Sequence, residues 1–272
     1  MTTTAPAIAR VRTFRLRQLA VPTEHGSWSF LFEPTVAALA IAFSVGGLWV
    51  ALMTLGAFLC RQPLKILIAD RIGMKDRERA QAALAFLLLY TSIFAIGLVG
   101  TVSVSGWLPL LPYTLLLPLI AFQIFSDASR KGRQLLPEVC GAITISASAA
   151  AIALAGGQSW AIAATLWVIF ISRSVPSILY VRNRLLLEKG KDNSRVIPIV
   201  AHIAALIVVC ALSYYGLSPA LTILAMLMLL WRAVAGLAPG RRKLRAMQIG
   251  VREIGYGALT VLSVVVGYYA GF

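Results

Sequence analysis

The sequence predicts an all-α fold, a polytopic transmembrane helical bundle of about nine spans, and three observations carry that reading. First, 59% of the 272 residues are hydrophobic and 13% are charged. The mean hydropathy is +0.84, whereas a soluble domain carries about 25% charged residues. Second, apolar runs of 17–23 residues recur along the chain, about the length that crosses a 30 Å hydrocarbon layer at 1.5 Å per residue. Third, the segments between the runs alternate between charge-free and strongly basic. Lys and Arg are retained in cytoplasmic loops, so this alternation predicts an odd number of spans with the N-terminus inside and the C-terminus outside.

The elements follow in order. Residues 1–24 form a basic cytoplasmic arm with Arg10, Arg12, Arg15 and Arg17 and no apolar stretch of the signal-peptide kind. Residues 25–272 form one nine-helix domain with expected spans at 27–45, 47–69, 80–101, 107–126, 137–155, 160–181, 196–215, 219–235 and 252–270. The first two join at Val45-Gly46-Gly47. Basic segments lie at 70–79, 127–133, 182–195 and 241–245, and charge-free ones around 44–47, 101–106, 155–159 and 214–218. Trp107, Trp160, Tyr214, Tyr215, Tyr268 and Tyr269 fall at the expected outer interface, where aromatic belts form. Arg61-Gln62-Pro63 echoes Arg173-Ser174-Val175-Pro176, and PTEHG at 22–26 echoes PEVCG at 137–141. Two repeats, 25–130 and 135–236, followed by a final helix would account for both echoes.

The formal net charge of +15 does not point to nucleic acid, because basic loops of a membrane protein account for it. Anionic membrane lipids are the expected partner. Cys60, Cys140 and Cys210 sit in apolar runs without CxxC spacing, so neither a disulfide nor a metal site is expected. No HExxH, P-loop or GxSxG motif occurs, and no cofactor is called for, with Mg²⁺ left open.

An ionised side chain inside hydrocarbon costs about 2.5–3.5 kcal/mol or more and demands a reason. Glu24, His25 and Glu33 open the first span, Arg61, Lys65 and Asp70 lie in the second, and Glu138 starts the fifth. Arg173 lies in the sixth span, Arg182 just beyond it, Arg232 in the eighth, and Arg252 and Glu253 open the ninth. All fall in the cytoplasmic half, so they can converge on a polar cavity beneath an apolar upper half. Arg61 and Arg173, each beside a proline, suit an anionic ligand, because the guanidinium fork matches phosphate or carboxylate. Lys65, Asp70, Arg182 and Glu33 complete the expected ligand set, and His25, Glu24 and Glu138 would supply any acid–base chemistry. Arg232, Lys65 and Arg252 read as side chains reaching for the headgroups, and His202 as a packed histidine.

VPTEHGSWSFLFEP at 21–34, with RQPLK at 61–65 and RSVPSILYVRNRL at 173–185, resembles the YwiC-like family of bacterial membrane proteins. That resemblance implies a multi-span protein of the bacterial inner membrane. The nine-span plan and the basic loops after spans two and six also resemble the UbiA superfamily of intramembrane prenyltransferases. It would imply an isoprenoid diphosphate donor held by Mg²⁺ on two Asp-rich motifs. Here only Asp70 and Asp76 stand at the first position and Asp192 at the second, among Arg and Lys. Two Mg²⁺ ions need several carboxylate oxygens, so an Arg-lined pocket holding the phosphate directly is the alternative. Three functions fit: a protein or transferase binding an anionic amphiphile (isoprenoid diphosphate or phospholipid), an anion or metabolite transporter, and an accessory subunit with a membrane-protein partner.

Overall fold

The computed structural model describes residues 16–22, 25–73, 77–129, 132, 134–191 and 193–271. Among them the chain is all-helical. Short α1 (Leu16–Ala20) precedes α2 (His25–Ile41), α3 (Val45–Gly73) and α4 (Arg77–Ser105). A 3₁₀ turn (Leu108–Leu110), α5 (Leu111–Leu115) and α6 (Leu117–Ala128) follow. The chain continues through α7 (Leu135–Ala155), α8 (Trp160–Glu188), α9 (Val196–Tyr214), α10 (Leu221–Leu237) and α11 (Ala246–Ala270). Each of the nine expected apolar segments is thus helical.

Among the described residues, six helices (α3, α4, α7, α8, α9 and α11) are long and apolar enough to cross a membrane. The fourth expected span is instead a broken one, α5 and α6 meeting at a 53° bend. Pro109, Pro112 and Pro118 each fall in the first turn of a helical piece, where a missing N–H costs nothing, and prolines set so close together disfavour one unbroken helix. α2 and α10 are 17 residues each and shorter than the six. Several helices also overrun their expected ends: α8 continues from 181 to Glu188, and α11 begins at Ala246 rather than 252. Charge marks where hydrocarbon ends, and a helix is free to continue past that level when its packing continues.

Helices α2, α7, α8, α9, α10 and α11 pack in a ring, each against the next, with α8 also touching α2, α10 and α11 across the interior. The ring core is apolar, built on Phe170, Ile169, Leu166, Met226, Leu229, Val209 and Val264. α7 lines it with alanines, of which Ala147, Ala149, Ala150, Ala151 and Ala153 are fully buried. Outside the ring, α3 packs on α7 and carries α4 as a closely fitted hairpin. A Cβ on Gly97 would lie 2.4 Å from the Met53 backbone nitrogen, and one on Gly56 2.5 Å from that of Phe94. Only glycine permits backbones to approach so closely.

The two ends of the bundle differ in chemistry. At one, charge-free end, the Tyr269 hydroxyl donates to the Ala40 carbonyl (2.6 Å) and Ser105 to the Ala155 carbonyl (3.4 Å). Trp107, Tyr214, Tyr215 and Tyr269 are exposed there. At the other end, α8 is tied to the segment after α10: Arg184 donates to the carbonyls of Gly236 and Arg242, and Arg241 to that of Leu187 (3.1 Å).

Candidate functional site: a buried ionic network flooring an arginine cavity

Between the apolar core and the basic end, five helices of the ring meet in an ionic network. α8 contributes Arg173, which is 1% exposed. It contacts Glu33 of α2 (Nη2 to Oε1, 3.3 Å) and Glu253 of α11 (Nη1 to Oε2, 3.7 Å), and donates to the Glu253 carbonyl at 3.0 Å. Arg232 of α10, 4% exposed, pairs with the same Glu253 carboxylate. Ser177, one turn after Arg173, accepts from both guanidinium groups and donates its own proton to the Arg173 carbonyl (2.7 Å). That uses the hydroxyl's one donor and both acceptor sites.

His202 of α9 completes the set. Its Nδ1 lies 2.6 Å from the Pro198 carbonyl, which can only accept, so the proton sits on Nδ1. Nε2 is then free to accept from Arg232 at 2.9 Å. The Arg232 guanidinium also sits 4.3 Å from the Tyr180 ring centroid and 5.2 Å from that of Tyr256, close enough for cation–π attraction. With neutral His202 the two arginines balance the two glutamates. A buried ionic group of this kind is tolerable because its charges are paired and hydrogen-bonded.

The network is the floor of a cavity of about 150 Å³ that opens toward the basic end between α8, α10 and α11. Its charged lining is Arg184, Arg232, Arg241, Arg242, Arg252 and Glu253. Arg184 is 2% exposed and pairs with Glu188 (2.8 Å), which Arg241 also approaches at 3.7 Å. The Nε–H groups of Arg184, Arg232 and Arg241 are buried and have no hydrogen-bond partner among the described residues. Arg242 and Arg252 are exposed and make no ion pair among the described residues. The cavity therefore combines buried donors in need of acceptors with two uncompensated cations. Each raises the affinity for an anion.

The charges singled out in the sequence fall into two sets rather than one. Glu33 and Arg173 are in the network, paired with each other. Arg61, Lys65, Arg182 and Glu138 lie outside the ring's interior. Arg61 forks onto the buried Asp127 of α6 (2.7 and 3.3 Å), with Lys65 at 3.8 Å, and Arg182 pairs with Glu138 at 2.8 Å. Asp127, expected to start a basic loop, is instead the last turn of α6. Glu24 and the side chains of His25 and Asp70 lie outside the described residues. Two expectations are corrected. Arg232 does not reach for the headgroups, because the bundle encloses it and supplies Glu253, Ser177 and His202 as partners. Arg184 was read as part of a basic loop, yet it is buried in α8 and anchors the segment after α10. The signal for Arg184 was its position three helical turns after Arg173, which places both on one face of a continued helix.

Fold and site together define a multi-helix membrane protein, charge-free at one end, with an arginine-lined cavity entering from the other. The family model described as YwiC-like protein matches residues 21–153, just under half of the chain and spanning α2 to most of α7. The chain is similar to that family over this stretch, which holds Glu33, Arg61 and Glu138, while the cavity lies beyond it on α8, α10 and α11. No curated protein matches the chain, and no solved structure does.

Proposed function

We propose that this chain is a nine-span protein of the bacterial inner membrane, YwiC-like throughout and with its N-terminus in the cytoplasm, that binds the headgroup of an anionic amphiphile in the arginine cavity. The observation that carries the reading is the composition of that cavity: five arginines against one glutamate, three of the arginines (Arg184, Arg232 and Arg241) with a buried Nε–H that has no hydrogen-bond partner among the described residues. The nine helical segments and the gathering of charge at one end support a UbiA-like plan with the cavity facing the cytoplasm. The ligand site in this reading is not the one expected from the second and sixth spans. Arg61, Arg173 and Arg182 already have carboxylate partners, whereas Arg242 and Arg252 have none among the described residues. The apolar core packed beside the network, built on Phe170, Ile169, Leu166, Met226 and Leu229, favours a binding or transfer protein over a transporter.

Native mass spectrometry of the full chain, gently extracted, tests the proposal. A bound anionic lipid is expected on the unaltered protein and lost from Arg242→Ala/Arg252→Ala with an unchanged melting temperature. Retention of that lipid by the double variant would contradict it. The lining offers cations rather than a carboxylate cage, so binding is also expected to persist in EDTA. Loss in EDTA, restored by Mg²⁺, would return the site to the conventional metal-dependent arrangement.

A further inference from the structure

The chemistry of the headgroup can be taken one step further, resting on the reading just given. The cavity's donors come from several directions: Arg184 from α8, Arg232 from α10, Arg242 from the segment after it, and Arg252 from α11. A planar carboxylate is satisfied by one fork. Donors arriving from four elements instead suit a tetrahedral group with oxygens pointing several ways.

Charge and valence narrow it again. In the cavity, Glu253 is shared by Arg232 and Arg173, and Glu188 is shared by Arg184 and Arg241. Glu188 offsets only one of its two arginines, and Arg242 and Arg252 have no ion-pair partner among the described residues, so three positive charges stand in excess and favour the more highly charged headgroup. A phosphodiester headgroup brings one negative charge and two free oxygens, and its two substituents must both leave the site. A terminal phosphate brings about −1.5 to −2 charge and three free oxygens, with a single substituent.

That substituent has a route out. Trp231 lines the cavity and is nevertheless 67% exposed. It belongs to an exposed apolar stripe on α10 with Leu224, Leu227 and Val234, spaced at three and four residues. A hydrocarbon chain leaving past Trp231 would lie along this stripe and remain in the lipid layer. We propose that the ligand is a lipid phosphomonoester, its single terminal phosphate among Arg184, Arg232, Arg242 and Arg252 and its tail along the outer face of α10.

Thermal-shift titration of the full chain in maltoside micelles tests this, using dodecyl phosphate, didodecyl phosphate, dodecanoate, dodecyl diphosphate and inorganic phosphate as probes. Dodecyl phosphate is expected to act at concentrations at least about tenfold below each of the others, a difference of 1.4 kcal/mol. Arg242→Ala/Arg252→Ala is expected to abolish its effect, and Trp231→Ala to weaken it while leaving inorganic phosphate unaffected. Equal or tighter binding of the diester or of dodecanoate would overturn the phosphomonoester while leaving an anionic amphiphile in place. Equal or tighter binding of the diphosphate would overturn the single phosphate, and equal binding of inorganic phosphate would overturn the lipid tail. If no anion responds to loss of the two arginines, the cavity reading itself fails.

Discussion

Ser177 and Glu253 show how few side chains keep the buried network neutral. Glu253 serves two guanidinium groups, Ser177 accepts from both, and His202 accepts from one of them. Removing one member of a buried pair leaves an uncompensated charge, at a cost of about 3–5 kcal/mol, whereas removing both by apolar residues is often neutral. Arg232→Leu is therefore expected to lower the melting temperature in detergent substantially. Arg232→Leu/Glu253→Leu should recover most of the loss, because Arg173 and Glu33 still balance each other. An unchanged melting temperature in the single variant would mean that the network does not hold the bundle together. The sequence exposed these residues as costly, because charge in an apolar run is visible locally. It did not expose their partners, since Glu33 and Arg173 are 140 residues apart and only the packed ring brings them together. Arg232, close to the end of its run, looked able to escape to the headgroups for the same reason.

At the scale of the helix, the α3–α4 hairpin rests on two glycines. A methyl group on Gly97 would meet the Met53 backbone at 2.4 Å, and backbone cannot rotate aside. Gly97→Ala is expected to force the helices apart and destabilise the fold by about 1–3 kcal/mol. Gly250 in α11 provides the contrast, having no atom within 4 Å of its would-be Cβ. Gly250→Ala should be neutral or stabilising by up to ~1 kcal/mol through helix propensity. Comparing the two melting temperatures checks the packing directly, and equal tolerance would contradict it. The nine helical segments were legible from hydropathy alone. Their ends were not: α8 carries Arg182, Arg184 and Glu188 as helix because Leu187 continues to pack on the α10 side. The break at Leu116 came from prolines inside a run that hydropathy reads as continuous.

For the whole molecule, the account joins a membrane orientation to a ligand site. In a cysteine-free background, Ser159→Cys and Tyr215→Cys at the charge-free end are expected to react in intact cells with a membrane-impermeant thiol reagent. Ser129→Cys and Ser194→Cys at the basic end should be protected until the membrane is opened. Labelling of Ser194→Cys from outside would contradict the nine-span orientation. The alternation of charge along the sequence is the source of this expected orientation, because each loop reports its own side. The cavity was less readable, because its arginines come from one helix read as loop, one segment read as cytoplasmic surface and two positions read as headgroup contacts. Only the ring places Arg184, Arg232, Arg242 and Arg252 around one space. Photo-crosslinking of the full chain with an alkyl phosphate carrying a diazirine next to its headgroup, followed by peptide mapping, tests that placement most directly. Adducts are expected within residues 231–256, at Trp231, Tyr256 or their neighbours, and should be competed away by unlabelled dodecyl phosphate. Competed adducts on α3 and α6 around Arg61 and Asp127, with none within 231–256, would contradict the account and move the site outside the ring.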